Sequence, residues 1–294
     1  MNEHQLNLDQ KINTYNTSTL NDLLYSNKKT ESSNQLISVV IPLYNEENTI
    51  KNVIERIPNH QHYEIIIVDD GSTDDSIKKV KEINDRNIKI IKHKTNQGYG
   101  AAILTGMENS CGDYLITIDS DGQHNPEEIP NLLEPLINNT ADLVIGSRYL
   151  GKCHYKMPLH ARVGAYFINF FLRLLYLQEV YDNQCGFRAF RKDVGEKLNN
   201  MRYTDMGFST EMLFKIAHYN YRIVERPISV NPRKYGNSYV NLIKIVRSIT
   251  SCIVFYTLKK FNLDVNRFFL KRIVIYFFKK LKDKKVFRQV FFKF

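Results

Sequence analysis

The sequence predicts an α/β fold, a mostly parallel sheet with helices on both faces. Two observations predict it. From Leu36 to about Arg148, short apolar runs rich in Val and Ile alternate with segments of helical spacing. Those runs are apolar at successive positions rather than at every second one, as in strands covered on both sides. In order, "LISVVIPLYN" (36–45) reads as a buried strand and "EENTIKNVIERI" (46–57) as a helix. "YEIIIVDDGS" (63–72) is a second strand ending in acids. "TDDSIKKVKEI" (73–83) is a helix whose acidic first turn suits the positive end of its dipole. "NIKIIKH" (87–93) is a third strand and "GYGAAILTGMEN" (98–109) a helix opened by Gly and Ala. "DYLITID" (113–119) is a fourth strand, and "PEEIPNLLEPLI" (126–137) is a helix that accepts Pro126 at its start. "ADLVIGSR" (141–148) is a fifth strand.

The alternation then stops. A long apolar helix is expected over 158–177, then a compact segment "DNQCGFRAFRKDV" (182–194), a helix near 208–219 and a strand near 221–230. Two aromatic, basic helices are expected near 240–260 and 267–282. Residues 1–34 are polar and Asn-rich and read as a mobile leader with a short helix near 19–25. The expected organisation is a leader (1–34), a catalytic-sized α/β domain (35–240) and a basic amphipathic tail (241–294).

Composition narrows the class. With 43% hydrophobic residues among 294 the chain buries a substantial core, and 24% charged residues with a mean hydropathy of -0.37 exclude a polytopic membrane protein. The net charge of +10 is uneven. Residues 231–294 hold 16 of the 41 Lys and Arg and 2 of the 31 Asp and Glu, leaving 25 basic and 29 acidic residues before them. A slightly acidic body with a basic tail suits an anionic lipid surface. Nucleic acid would use the same charge, but no recognition module accompanies it. Cys111, Cys153, Cys185 and Cys252 form no CxxC pair, which points to reduced thiols in a cytosolic protein. No secretory signal opens the chain, and no run reaches the ~18 apolar residues that span a bilayer.

The strand ends carry the chemistry. Tyr44-Asn45, Asp69-Asp70, Asp119-Ser-Asp121 and Ser147-Arg148 all fall on the carboxyl edge, where such sheets bind ligands. Asp119 and Asp121 have two uses: a cap or turn before the helix at Pro126, or a divalent cation site. Two carboxylates and the Gln123 amide oxygen are hard donors suited to Mg2+ or Mn2+, with water and phosphate completing the shell. His124 beside them reads as a supporting residue rather than a ligand.

"VVIPLYNEENTI", "IIIVDDGSTDDS", "NQGYGAA", "DSDGQHNPEEI", "GSR" and "DNQCGFRAF" together resemble the family 2 glycosyltransferases of the GT-A fold. The branch they resemble most is the dolichyl-phosphate mannose synthase-like polyprenyl-phosphate transferases. The resemblance covers about residues 36–240. It implies that Pro42, Tyr44 and Glu46 line the nucleotide site and that Asp69 and Asp70 hold base and ribose. It implies that Gly98 and Gly100 let backbone approach the nucleotide, and that Asp119, Asp121 and Gln123 hold Mg2+ or Mn2+. Arg148 and Arg162 match residues that contact the acceptor's lipid phosphate, and Arg233 and Ser238 a loop closing over the diphosphate. Tyr239 stands where the family usually has Lys, with Lys234 a possible substitute.

A phosphate monoester acceptor has a second pKa near 6 and needs no proton abstractor, whereas a sugar hydroxyl does. The expectation is therefore a metal-dependent, inverting, in-line transfer from a nucleotide-diphosphate sugar (GDP-mannose, UDP-glucose or UDP-GlcNAc) to a polyprenyl phosphate. Positioning and cationic clamps would do most of the work. The alternative is a family 2 enzyme with a saccharide, lipid or protein hydroxyl acceptor, for which Glu211 or Asp182 would be the base. Arg148 and Arg188 could instead be plain surface ion pairs. The 158–177 helix and the tail would face lipid, making the protein peripheral at a cytoplasmic membrane face, where a membrane partner subunit is a further candidate partner.

Overall fold

The computed structural model describes residues 35–58, 63–83, 87–155, 159–205, 207–235 and 242–261. The expected leader, its helix near 19–25, Ser238, Tyr239 and the second tail helix lie outside the described residues.

Seven strands form one sheet in the order β3-β2-β1-β4-β6-β5-β7. They are β1 (Ile37–Leu43), β2 (Tyr63–Asp69), β3 (Ile88–Lys92), β4 (Tyr114–Thr117), β5 (Leu143–Cys153), β6 (Arg188–Arg191) and β7 (Ile223–Val230). All neighbours run parallel except β6, which is antiparallel to both β4 and β5. Buried positions run consecutively through β1, β2 and β4, because helices cover both faces. Those helices are α1 (Ile50–Glu55), α2 (Ser76–Lys81), α3 (Tyr99–Glu108), α4 (Ile129–Ile137), α5 (Leu159–Tyr176), α6 (Lys192–Lys197), α7 (Gly207–His218) and α8 (Leu242–Lys260).

Details of β1 and β4 place the rim. Pro42 has no N–H to give, and it sits where the β1·β4 ladder has already ended at Val40↔Thr117. After Ile118 donates to the Val40 carbonyl (3.2 Å), the chain leaves the sheet, carrying Asp119 and Asp121 outward. Asn45, Gly71, Gly98 and Gly122, one in each rim loop after β1 to β4, all have positive φ, which turns these loops sharply.

Three expectations need correction. The first helix is shorter than the 46–57 spacing suggested, since residues 46–49 form a turn braced by Thr49 on the Ser120 carbonyl (2.8 Å). β5 runs on to Cys153, with an irregularity between Ser147 and Lys152. The 182–194 segment contains β6 and the start of α6. Its two arginines hid the strand, yet Arg188 is 2% exposed.

Candidate active site

The rim acids meet at one point. Asp119 is half-buried; its Oδ2 lies 3.4 Å from His124 Nε2, while its buried Oδ1 has no hydrogen-bond partner among the described residues. Gly186 backs it closely: a Cβ there would lie 2.5 Å from Oδ1. Burial opposes ionisation of Asp119, but the His124 hydrogen bond and charge, with Arg148 and Tyr99, outweigh it and hold the carboxyl below its usual range. Asp121 is pushed the other way, by burial and then by the charge of Asp119. Its Oδ1 accepts from the Gln123 N–H (3.0 Å). Gln123 Nε2 donates to the Asn231 carbonyl (3.1 Å), which orients the amide.

Arg233, after β7, reaches into this cluster. Nη1 contacts Asp121 Oδ2 (3.3 Å), Nη2 pairs with Glu46 Oε1, and Nε donates to the Tyr235 carbonyl (2.8 Å). One guanidinium therefore joins the ends of β1, β4 and β7. Burial raises the Glu46 carboxyl above its ordinary range despite the opposing charge of Arg233.

The expected roles divide on inspection. Asp69 commits Oδ1 to the Ser72 N–H (2.9 Å). Asp70 is a brace: Oδ1 accepts from the Gln97 N–H (2.8 Å) and lies 2.7 Å from His93 Nδ1, and Oδ2 accepts from the Gly98 N–H (2.8 Å). His93 Nε2 in turn lies 3.0 Å from Thr105 Oγ1, tying the loop to α3. Packing supplies its own reason for both glycines. A Cβ on Gly98 would lie 2.6 Å from the Thr204 carbonyl oxygen, and one on Gly100 would lie 2.6 Å from Phe208 Cβ. Pro42 and Tyr44 are half-buried at the β1 end.

Arg148 is clamped by Asp182, with Nε on Oδ2 (2.8 Å) and Nη2 on Oδ1 (2.6 Å), and it also reaches the Tyr155 hydroxyl (3.2 Å). Burial alone would lower the Arg148 pKa, but the Asp182 bond and charge raise it. Arg162 is exposed on α5, near enough to Tyr149 for its charge to be felt at that phenol. Arg188 is no surface ion pair. It donates to the carbonyls of Cys185 (2.8 Å), Asn183 (3.0 Å) and Ser209 (3.2 Å). Glu211 is buried too, its Oε2 accepting the N–H groups of Arg202 (2.7 Å) and Tyr203 (3.0 Å).

Sequence reasoning missed Tyr99 and His93. The half-buried Tyr99 phenol lies beside Asp119 and is raised well above its ordinary pKa, first by burial and then by that carboxylate. Its position between Gly98 and Gly100 was the available signal.

The donor set fits a hard divalent cation. An orphaned buried carboxylate oxygen, a second carboxylate and an oriented side-chain amide are oxygen ligands of the Mg2+ and Mn2+ type. Among the described residues no cluster of three His, Cys, Asp or Glu side chains forms, so such an ion would also draw on water or substrate oxygens.

A mostly parallel sheet with its acidic side chains gathered at the carboxyl edge defines an α/β protein with a ligand site on that rim. Residues 38–198 match the family described as Glycosyl transferase family 2, and the chain belongs to that family and is a glycosyltransferase. It is 39% identical over 193 residues to the UDP-N-acetylglucosamine–dolichyl-phosphate N-acetylglucosaminyltransferase of Methanococcus voltae, covering 58% of this chain and 77% of that one. It is 33% identical to the dolichol-phosphate mannosyltransferase of Pyrococcus furiosus, covering 69% of this chain and 58% of the relative. Among solved structures, the glucosyl-3-phosphoglycerate synthase of Mycobacterium tuberculosis, with Mn2+, UDP and phosphoglyceric acid bound, superposes with a TM-score of 0.60 at 20% identity. That match covers 79% of this chain and 80% of the other, and it supports the GT-A fold.

Proposed function

We propose that the protein transfers a sugar from a nucleotide-diphosphate sugar to a polyprenyl, dolichyl-type phosphate by a metal-dependent, inverting, in-line displacement. The observation that carries the acceptor half is the state of the two candidate bases. Asp182 is spent on Arg148 and Glu211 on two backbone N–H groups, which suits a nucleophile that arrives already ionised.

In this reading Asp119, Asp121 and Gln123 hold Mg2+ or Mn2+, which when bound would neutralise charge on the departing nucleoside diphosphate. Glu46 and Arg233 flank the diphosphate, with Ser238 expected to join them. Asp69 faces the base and ribose, with Pro42 and Tyr44 beside it. Asp70 acts through the Gly98 loop. Arg148 and Arg162 face the acceptor phosphate. On α5, Tyr166, Phe170 and Leu174 are four residues apart and 69%, 49% and 62% exposed, forming a stripe that suits the acceptor's lipid. Among the described residues no helix is long and apolar enough to cross a membrane. In this reading the basic tail attaches the protein peripherally at a cytoplasmic membrane face.

The direct test mixes purified protein, Mg2+ or Mn2+, a polyprenyl phosphate and each donor in turn. UDP-N-acetylglucosamine comes first, because the Methanococcus voltae relative is named for it. Expected is a glycosyl phospholipid from one donor, abolished by a chelator. Donor hydrolysis without lipid product would refute the acceptor assignment and favour a hydroxyl acceptor.

Gly98→Ala tests the loop. Its φ of 101° and the nearby Thr204 carbonyl leave no room for a methyl group. With ψ at 160° as well, this backbone lies in a region essentially reserved for glycine, where an L side chain costs on the order of 1–3 kcal/mol. The donor KM should rise about tenfold or more, with the acceptor KM little changed; an unchanged donor KM would remove the loop from the donor site.

A further inference from the structure

Away from the rim, α6, α7, α8 and the loop after α6 line an open cavity of about 410 Å3, within the size range of small-molecule sites. Lys197, Arg202, Lys215 and Lys259 line it, against Glu196 and Glu211. Glu211 is already engaged by backbone N–H groups. None of the ion pairs among the described residues involves any of the four cations.

The cations are held in place all the same. Lys215 is only 8% exposed, and the one hydrogen bond of its ammonium goes to the Asn199 carbonyl. An ammonium has three donors, so beyond this bond it has donors left for a ligand or water in the cavity. Lys197 and Lys259 approach the same ring, 5.9 and 5.8 Å from the Tyr219 centroid, and Arg202 stacks on Phe255 at 4.0 Å. Four cations thus line the cavity against two carboxylates, one of them, Glu211, already taken by backbone N–H groups. An oxyanion with several acceptor oxygens is the complement of such a set.

We propose that this cavity binds a phosphate group, carried either by a free small molecule or by an anionic lipid headgroup. The cavity is distinct from the donor rim. A short stretch of chain connects the two, because the Thr204 carbonyl, two residues after Arg202, accepts from the Ala101 N–H of α3 (3.2 Å).

The test uses the full chain and a K197Q/K259Q variant, both substitutions at the cavity mouth. Inorganic phosphate is titrated calorimetrically at constant ionic strength. Sedimentation is then measured with phosphatidylcholine vesicles, with and without phosphatidylglycerol. Saturable phosphate binding that weakens at least about tenfold in the variant supports a free-phosphate site; binding at the donor rim would not respond to these substitutions. Failure to bind inorganic phosphate, with phosphatidylglycerol-dependent sedimentation about tenfold weaker in the variant, supports a headgroup site. Indistinguishable behaviour of the two proteins in both assays overturns the proposal. Substituting Lys215→Met provides the interior check and is scored only if its thermal unfolding remains cooperative.

Discussion

Asp121→Asn should lower the transfer rate about 10²–10³-fold, the usual effect of removing one preorganised electrostatic contact at a charge-developing centre. Asparagine keeps the shape of aspartate, and its amide oxygen can still accept from the Gln123 N–H that Asp121 now receives (3.0 Å). The change therefore removes the charge and its Arg233 contact at Oδ2 (3.3 Å) while leaving the turn in place. Asp121 is half-buried, and burial first, then the charge of Asp119, raises its carboxyl above the ordinary range, more than Arg233 lowers it. Without a divalent cation, neutralising one of the pair relieves repulsion, so the variant should be as stable as the parent or slightly more so. With cation present the order should invert. A ligand at 100 times its Kd stabilises the form that binds it by about 2.7 kcal/mol; the parent should gain a higher Tm on adding Mn2+ and the variant should not. Thermal melts with and without Mn2+, beside Mn2+ binding measured by electron paramagnetic resonance, separate this from a folding defect. A variant that binds Mn2+ normally and transfers at the parental rate would remove Asp121 from the metal site.

Arg148→Ala should destabilise the fold by about 3–5 kcal/mol, because it strands a carboxylate. Asp182 is 1% exposed and receives the Arg148 guanidinium twice, with the Arg148 backbone N–H (2.7 Å) as a third contact. Only that backbone contact and a few neighbours would remain. Asp182→Asn should cost less, since Arg148 keeps its bond to the Tyr155 hydroxyl and is 15% exposed at the side chain. The double variant R148A/D182A should recover part of the loss, as it leaves no buried charge. Denaturant unfolding of the four proteins checks this directly. A domain is typically stable by only about 5–15 kcal/mol, so the single variant is assayed in the cold and with donor present. Arg148→Lys separates support from contact: if Arg148 also touches the acceptor, the polyprenyl-phosphate KM should rise more than the stability loss explains. An unchanged KM would leave Arg148 a purely structural partner of Asp182.

The sheet was legible where the chain wrote it locally. β1, β2, β4 and the first half of β5 are continuous apolar runs, and their ends point to Asp69, Asp70, Asp119, Asp121 and Arg148. What stayed hidden depends on residues far apart in sequence. Arg148 reads as an acceptor contact or a surface ion pair; its actual partner, Asp182, is buried and lies 34 residues on. Asp70 looked like a ligand for the nucleotide until His93, Gln97 and the Gly98 N–H filled its oxygens. Arg188 read as a surface charge because a strand flanked by arginines has no apolar signature, although the carbonyls of Cys185, Asn183 and Ser209 make its burial tolerable. Glycine spacing suggested a close ligand approach at Gly98 and Gly100; the neighbours that demand glycine there are Thr204 and Phe208.

The place of β6 has a consequence for assembly. β4 and β5 share no ladder with each other, and the strand that joins them comes after both in the chain. As the polypeptide leaves the ribosome, the β3-β2-β1-β4 half can pair as it emerges. β5 then waits without a partner until Arg188–Arg191 and Ile223–Val230 arrive. Through that interval the β4 edge and the whole of β5 stand as open strand edges, the features that invite pairing with other chains. A four-residue strand thus acts as the clasp of the sheet. The same strand follows Gly186, which backs Asp119, so closing the sheet and completing the Asp119 corner are one event.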